Sequence, residues 1–96
     1  MRTIESIELI YRDPMVRGGR PCIVGTGLRV MDIVMEQQHG ERDPDKIASI
    51  FEIPVGEIYA ALAYYHEHKE EIDTHIQEDA EYIRRVKAET LGRKSD

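Results

Sequence analysis

Asp43-Pro44-Asp45-Lys46-Ile47-Ala48-Ser49-Ile50-Phe51-Glu52-Ile53-Pro54-Val55 is the stretch that decides the fold, because it holds two helix starts separated by one turn. Asp43 can accept the free N–H groups of a first helical turn. Pro44 fits the first helical position, where its missing N–H costs nothing and its φ is already set. The short helix that follows turns Ile47, Ile50 and Phe51 inward. Pro54 then stops it, since proline removes a backbone donor and biases Ile53 toward extended geometry. A new helix starts near Val55 and places Ile58, Ala61, Leu62 and Tyr65 on one face, with Glu57, Tyr59 and Tyr64 nearer solvent or a partner.

Upstream, Val30, Ile33, Val34 and Gln37 recur at i, i+3, i+4 and i+7, which predicts a helix over 30–39 with Gly40 as its C′ residue. A short and a longer helix joined by a three-residue turn, after a preceding helix, make the layout of a trihelical helix-turn-helix. Further upstream the period falls to two. Ile7, Leu9 and Tyr11 share one side with Glu8 opposite, Asp13-Pro14 turns the chain, and Pro21-Cys22-Ile23-Val24 is a short apolar run. These read as a small hairpin, with Gly18-Gly19 and Gly25-Thr26-Gly27 supplying its bends rather than a phosphate loop, whose spacing they lack. Cys22, the single cysteine, reads as a buried strand residue.

Downstream, Glu70 to Leu91 has no Gly or Pro and carries Ile72, Ile76, Ala80, Ile83 and Val86 at helical spacing. So narrow a stripe on so charged a helix predicts an interface seam. Ile72, Ile76, Ile83 and Val86 are its candidate partner-binding anchors, Glu71, Asp73, Glu78 and Asp79 its rim, and residues after Gly92 a frayed end. The expected organisation is mainly α: residues 1–67 form a β-hairpin plus trihelical helix-turn-helix, and residues 68–96 a long amphipathic helix for interaction or dimerisation.

Charge is unevenly placed. The net −6 combines mildly basic ends with residues 31–80, where thirteen acids face three basic residues. Phosphate would be repelled by that middle, so DNA contacts are assigned to Arg17, Arg20 and Arg29 of the hairpin, with Glu57 and Tyr59 on the second helix of the motif. No nucleophile is paired with an activating base, so no catalytic residue and no cofactor is expected. His68, Glu71 and His75 share a helix face, but without a cysteine they make a poor metal set, and no metal is expected. The chain has no apolar run long enough for a membrane span, which sets the expectation of a cytoplasmic protein.

Gly18-Gly19-Arg20-Pro21, Ile23, Gly25-Thr26, Val30 and Ile33-Val34, followed by Ile47, Ile50-Phe51, Ile58, Ala60-Ala61-Leu62 and Tyr64-Tyr65, resemble the bacterial family named domain of unknown function 433. That resemblance implies a hairpin-headed helix-turn-helix protein, the antitoxin half of a toxin–antitoxin pair whose partner is a PIN-like ribonuclease. The family usually reads Gly-Thr-Arg; here Gly27 takes the Arg position and Arg29 lies two residues later. The resulting expectation is a homodimeric antitoxin that neutralises such a toxin and represses its own operator DNA. The alternatives are a stand-alone DNA-binding regulator and an oligomerisation module.

Overall fold

The structure, a computed structural model, describes residues 1–40 and 42–94. In chain order these form β1 (Ile10–Tyr11), a single 3-10 turn (Arg17–Gly19), β2 (Cys22–Ile23), α1 (Val30–Gly40), α2 (Pro44–Phe51), α3 (Val55–Glu67) and α4 (Lys69–Lys94). The architecture is the mainly helical one expected, with a small antiparallel hairpin in front and a long helix behind.

The hairpin is shorter than its sequence pattern and opposite in phase. Ile10 pairs with Ile23 and Tyr11 with Cys22, and Ile10 packs on the core, whereas Ile7 is 80% exposed. The cause is the partner strand. Gly25 takes φ +79 and turns the chain just after Ile23, so nothing upstream of Leu9, whose carbonyl accepts from Val24 N–H at 2.9 Å, has a ladder to join. Thr26 Oγ1 locks that turn, donating to the Ile23 carbonyl and accepting from Leu28 N–H. Gly27 follows that turn without a positive φ.

Helix α1 buries Val30, Met31, Ile33 and Val34 and keeps Gly40 inside its last turn, one residue beyond expectation. Helix α2 starts as its sequence dictates, the Asp43 carboxylate accepting from Lys46 N–H at 2.8 Å ahead of Pro44. Its inward face is Ile47, Ala48 and Phe51; Ile50 lies about 100° round the helix and is exposed, correcting its assignment to the core. Glu52 adopts the left-handed conformation (φ 57, ψ 46), and both its N–H and that of Ile53 donate to the Ala48 carbonyl. The helix direction turns by 118° into α3, within the range of helix-turn-helix units. Ile58, Ala61, Leu62 and Tyr65 of α3 then close the core from the side the periodicity predicts.

His68 separates α3 from α4 while its N–H still donates to the carbonyls of Tyr64 and Tyr65, both at 3.0 Å. The first turns of α4 belong to the packed body. Ile72 is 0% exposed in the same cluster as Ile23, Val30, Ile33 and Ile58, and Ile76 is half-buried against it. Of the expected partner anchors, Ile72 is thus enclosed by the core of its own chain and Ile76 is partly covered by it. The packed body thus runs past the 67/68 division. Beyond Asp79 the helix stands clear and continues to Lys94, past the Gly92 end expected for it; Ser95 and Asp96 lie outside the described residues. At 26 residues α4 is about 39 Å long. It stretches the molecule to 72 × 29 × 23 Å with a radius of gyration of 16.4 Å, against about 13 Å for a compact chain of this size.

Candidate interaction surfaces

Two positive-φ glycines deliver the first feature of interest. Gly18 (φ +69) and Gly19 (φ +80) coil the chain so that Arg20 leaves the turn facing α4. Arg20 Nη1 donates to Asp79 Oδ1 at 2.6 Å and also approaches the Met31 sulfur, while Nη2 lies 3.7 Å from Glu78 Oε1. Arg29 reaches the other oxygen of Asp79 at 3.2 Å and grips Asp32 with both its side chain (2.9 and 3.2 Å) and its backbone N–H (2.8 Å). Asp79 is thus clamped between two guanidiniums whose side chains are only 20% and 18% exposed. The hydrogen bond from Arg20, reinforced by the nearby positive charge of Arg29, holds its carboxyl below the usual aspartate range. Hydrogen bonding to Asp32 pushes the Arg29 guanidinium further up.

A second clamp lies one face away. Arg12, just past β1, donates to both Glu71 oxygens at 2.5 and 2.6 Å and to the Tyr64 hydroxyl, whose ring stacks on His68 at 4.0 Å. The Arg12 hydrogen bond lowers the Glu71 carboxyl. Tyr65 donates to Asp73 at 2.8 Å. All four acids expected to rim a partner interface, Glu71, Asp73, Glu78 and Asp79, thus contact groups of their own chain. Because Asp79 and Glu71 titrate lower folded than unfolded, their stabilisation is full above about pH 4.5 and is lost as pH falls through the depressed folded values. Thermal melts between pH 7 and pH 2.5 are expected to show falling stability below about pH 4.5, and Asp79→Asn to make that fall shallower. A parallel fall in the variant would mean that other carboxylates carry it.

The candidate DNA contacts separate. Arg20 and Arg29 are held in the clamp, Arg17 is exposed on the turn, and Glu57 and the 55%-exposed Tyr59 sit in the first turns of α3. No described contact joins the two groups. Of the anchors on α4, Ile83 (49%) and Val86 (41%) remain exposed, beside Tyr82 and Leu91 on the projecting arm. Arg85 lies over the Tyr82 ring at 6.0 Å. Among the described residues no three His, Cys, Asp or Glu side chains are placed to hold a metal, and His68 and Glu71 are turned to Tyr64 and Arg12. Cys22 is buried, its Sγ donating to the Arg20 carbonyl and its thiol pushed up by desolvation. No single helix among the described residues is long and apolar enough to cross a membrane.

One surface escaped the sequence reading. Ile7, Ile10, Ala60, Ala63, Tyr64 and Glu67 line an open, mostly apolar groove of about 330 Å³ between the N-terminal segment and the outer face of α3. The small side chains of Ala60 and Ala63 make the room, and their position opposite Ile58, Ala61 and Leu62 was the available signal.

Residues 10–65 match the family described as Protein of unknown function (DUF433). The chain belongs to the DUF433 family. A crystal structure of a DUF433 member from Anabaena variabilis is 30% identical to it, with a TM-score of 0.64, covering 72% of this chain and 68% of that one. No curated protein matches the chain. The DUF433 match holds the turn that presents Arg20 but ends before α4, so Asp79, which that arginine grips, lies outside the matched segment.

Proposed function

We propose that this DUF433 member is a non-catalytic binding protein of the antitoxin kind, homodimeric, that engages a protein partner through the projecting part of α4. The observation that carries the reading is the division of the α4 stripe. Ile72 and Ile76 pack on the body, whereas Ile83 and Val86 continue the same stripe into solvent with Tyr82 and Leu91 beside them. Apolar side chains left exposed at such a spacing suit a groove on another protein. That the partner is a PIN-like ribonuclease toxin rests on the family resemblance. Autorepression would have to use Arg17 and the basic residues of the arm for phosphate contacts, because the clamp already occupies Arg20 and Arg29.

Co-expression with the product of the adjacent gene, followed by affinity capture, tests the reading. A stoichiometric complex is expected from the native chain, and Ile83→Asp with Val86→Asp is expected to lower recovery at least about tenfold with the body still folded. Equal capture by native and doubly substituted chains would remove α4 from the interface; no capture of the neighbour would remove the antitoxin reading.

A further inference from the structure

Helices α3 and α4 are separated by a single residue, His68 (φ −131, ψ 39). Nothing in the local sequence calls for a break there. From Glu57 to Leu91 the chain has neither glycine nor proline, the usual causes of an abrupt kink. The break also leaves backbone donors unused. His68 N–H takes the Tyr65 carbonyl as well as that of Tyr64, and among the described residues the N–H groups of Lys69, Glu70 and Glu71 reach no carbonyl one turn back. What bends the chain is tertiary. Ile72 and Ile76 return to the core, Tyr65 donates to Asp73 at 2.8 Å, Arg12 holds Glu71, and Arg20 and Arg29 hold Asp79. The break itself is not packed, since residues 66–70 are all exposed.

We infer that this break is a hinge and that two copies of the chain exchange α4 across it, each laying Ile72 and Asp79 into the body of the other. The inference rests on the homodimer of the proposed function and gives it a geometry. A second copy is the occupant because every contact that α4 makes with its own body can be made with an identical one. The balance between closed and exchanged forms then falls to the break, the part that differs. Straightening it joins α3 and α4 into one helix from Val55 to Lys94, about 60 Å long, in which Lys69, Glu70 and Glu71 N–H groups donate to the Tyr65, His66 and Glu67 carbonyls. Those bonds are additional in each chain and act against the freedom lost on association. The Tyr64–His68 stack, at i and i+4, suits either form. Each half of the dimer consists of residues 1–67 of one chain and the root of α4 from the other, so the partner copy supplies the Asp79 of each clamp. Ile83 and Val86 lie beyond the exchanged contacts, and exchange leaves them free for a protein partner.

The test uses two full-length variants, Arg12→Glu and Glu71→Arg, at side chains that are both more than one-third exposed. Each alone sets like charges together, in the closed chain and in its own exchanged dimer. Mixed, they form opposite-charge pairs only where the body of one chain meets α4 of the other. After joint unfolding in urea and refolding, with one variant isotopically labelled, native mass spectrometry is expected to show mixed dimers in about tenfold excess over like dimers, where random pairing gives equal amounts. The native chain should sediment as a dimer and Glu70→Pro mostly as a monomer. At the second position of α4 the lost N–H makes no bond, whereas in the continuous helix the proline ring collides with the His66 carbonyl. Mixed dimers in random proportion overturn the exchange and leave the homodimer standing. A native chain that is monomeric at all concentrations overturns both, while capture of the neighbouring gene product by the arm is read separately. Glu70→Pro dimerising as tightly as the native chain overturns the straightened hinge.

Discussion

Ile72→Asp is expected to abolish cooperative folding, while Ile83→Asp, about three turns further along the same stripe, leaves stability unchanged within about 0.5 kcal/mol. The two residues have the same side chain on the same helix. Ile72 is fully enclosed with Ile23, Val30 and Ile33, and Ile83 is half exposed on the arm. Trimming such a buried isoleucine to alanine alone costs about 2–5 kcal/mol, a large share of the total stability of a domain this small. A buried carboxylate with no partner costs more. Urea titration followed by circular dichroism at 222 nm reads both variants. A native-like midpoint for Ile72→Asp would show that α4 does not pack on the body.

Arg20→Ala is expected to cost about 2 kcal/mol and to loosen the root of the arm. The magnitude lies between that of an exposed ion pair, at about 0–1 kcal/mol, and removal of one partner from a buried pair, at about 3–5 kcal/mol, because Arg20 is one-fifth and Asp79 one-third exposed. Urea unfolding gives the energy, and amide hydrogen exchange gives the location: protection is expected to fall around Ile76–Asp79 and to persist in α1 and α3. The double variant Arg20→Ala, Asp79→Ala should lose less than the sum of the two single losses, since both break one contact. Strict additivity would mean that the pair contributes little, with Arg29 alone holding Asp79.

The helix-turn-helix was legible because its signals are local. Asp43-Pro44 starts a helix, Pro54 stops one, and Ile58, Ala61, Leu62 and Tyr65 mark a face without knowledge of anything distant. The hairpin's phase was not legible, since it depends on where β2 ends, and that follows from the positive φ at Gly25. The roles of the arginines were hidden by sequence separation. Arg20 and Arg29 lie 59 and 50 residues from Asp79, and a basic residue bound for an internal carboxylate reads the same in sequence as one bound for phosphate. Periodicity likewise showed the α4 stripe as one seam. Where the body stops covering it is a matter of tertiary dimensions, and the apolar groove arises only where Ile7 and Ile10 pass over α3.

The uninterrupted α4 has a mechanical side as well. From Lys69 to Leu91 it contains neither glycine nor proline, and its root is bolted on two faces, by Arg12 through Glu71 and by Arg20 and Arg29 through Asp79. Whatever grips the tip is therefore held by a strut rather than by a tether, at a set distance and at one rotational angle about the helix axis. Inserting a single residue after Asp79 would swing the tip through about 100° while lengthening the arm by only about 1.5 Å, so the angular setting of the arm is far more sensitive to insertion than its reach.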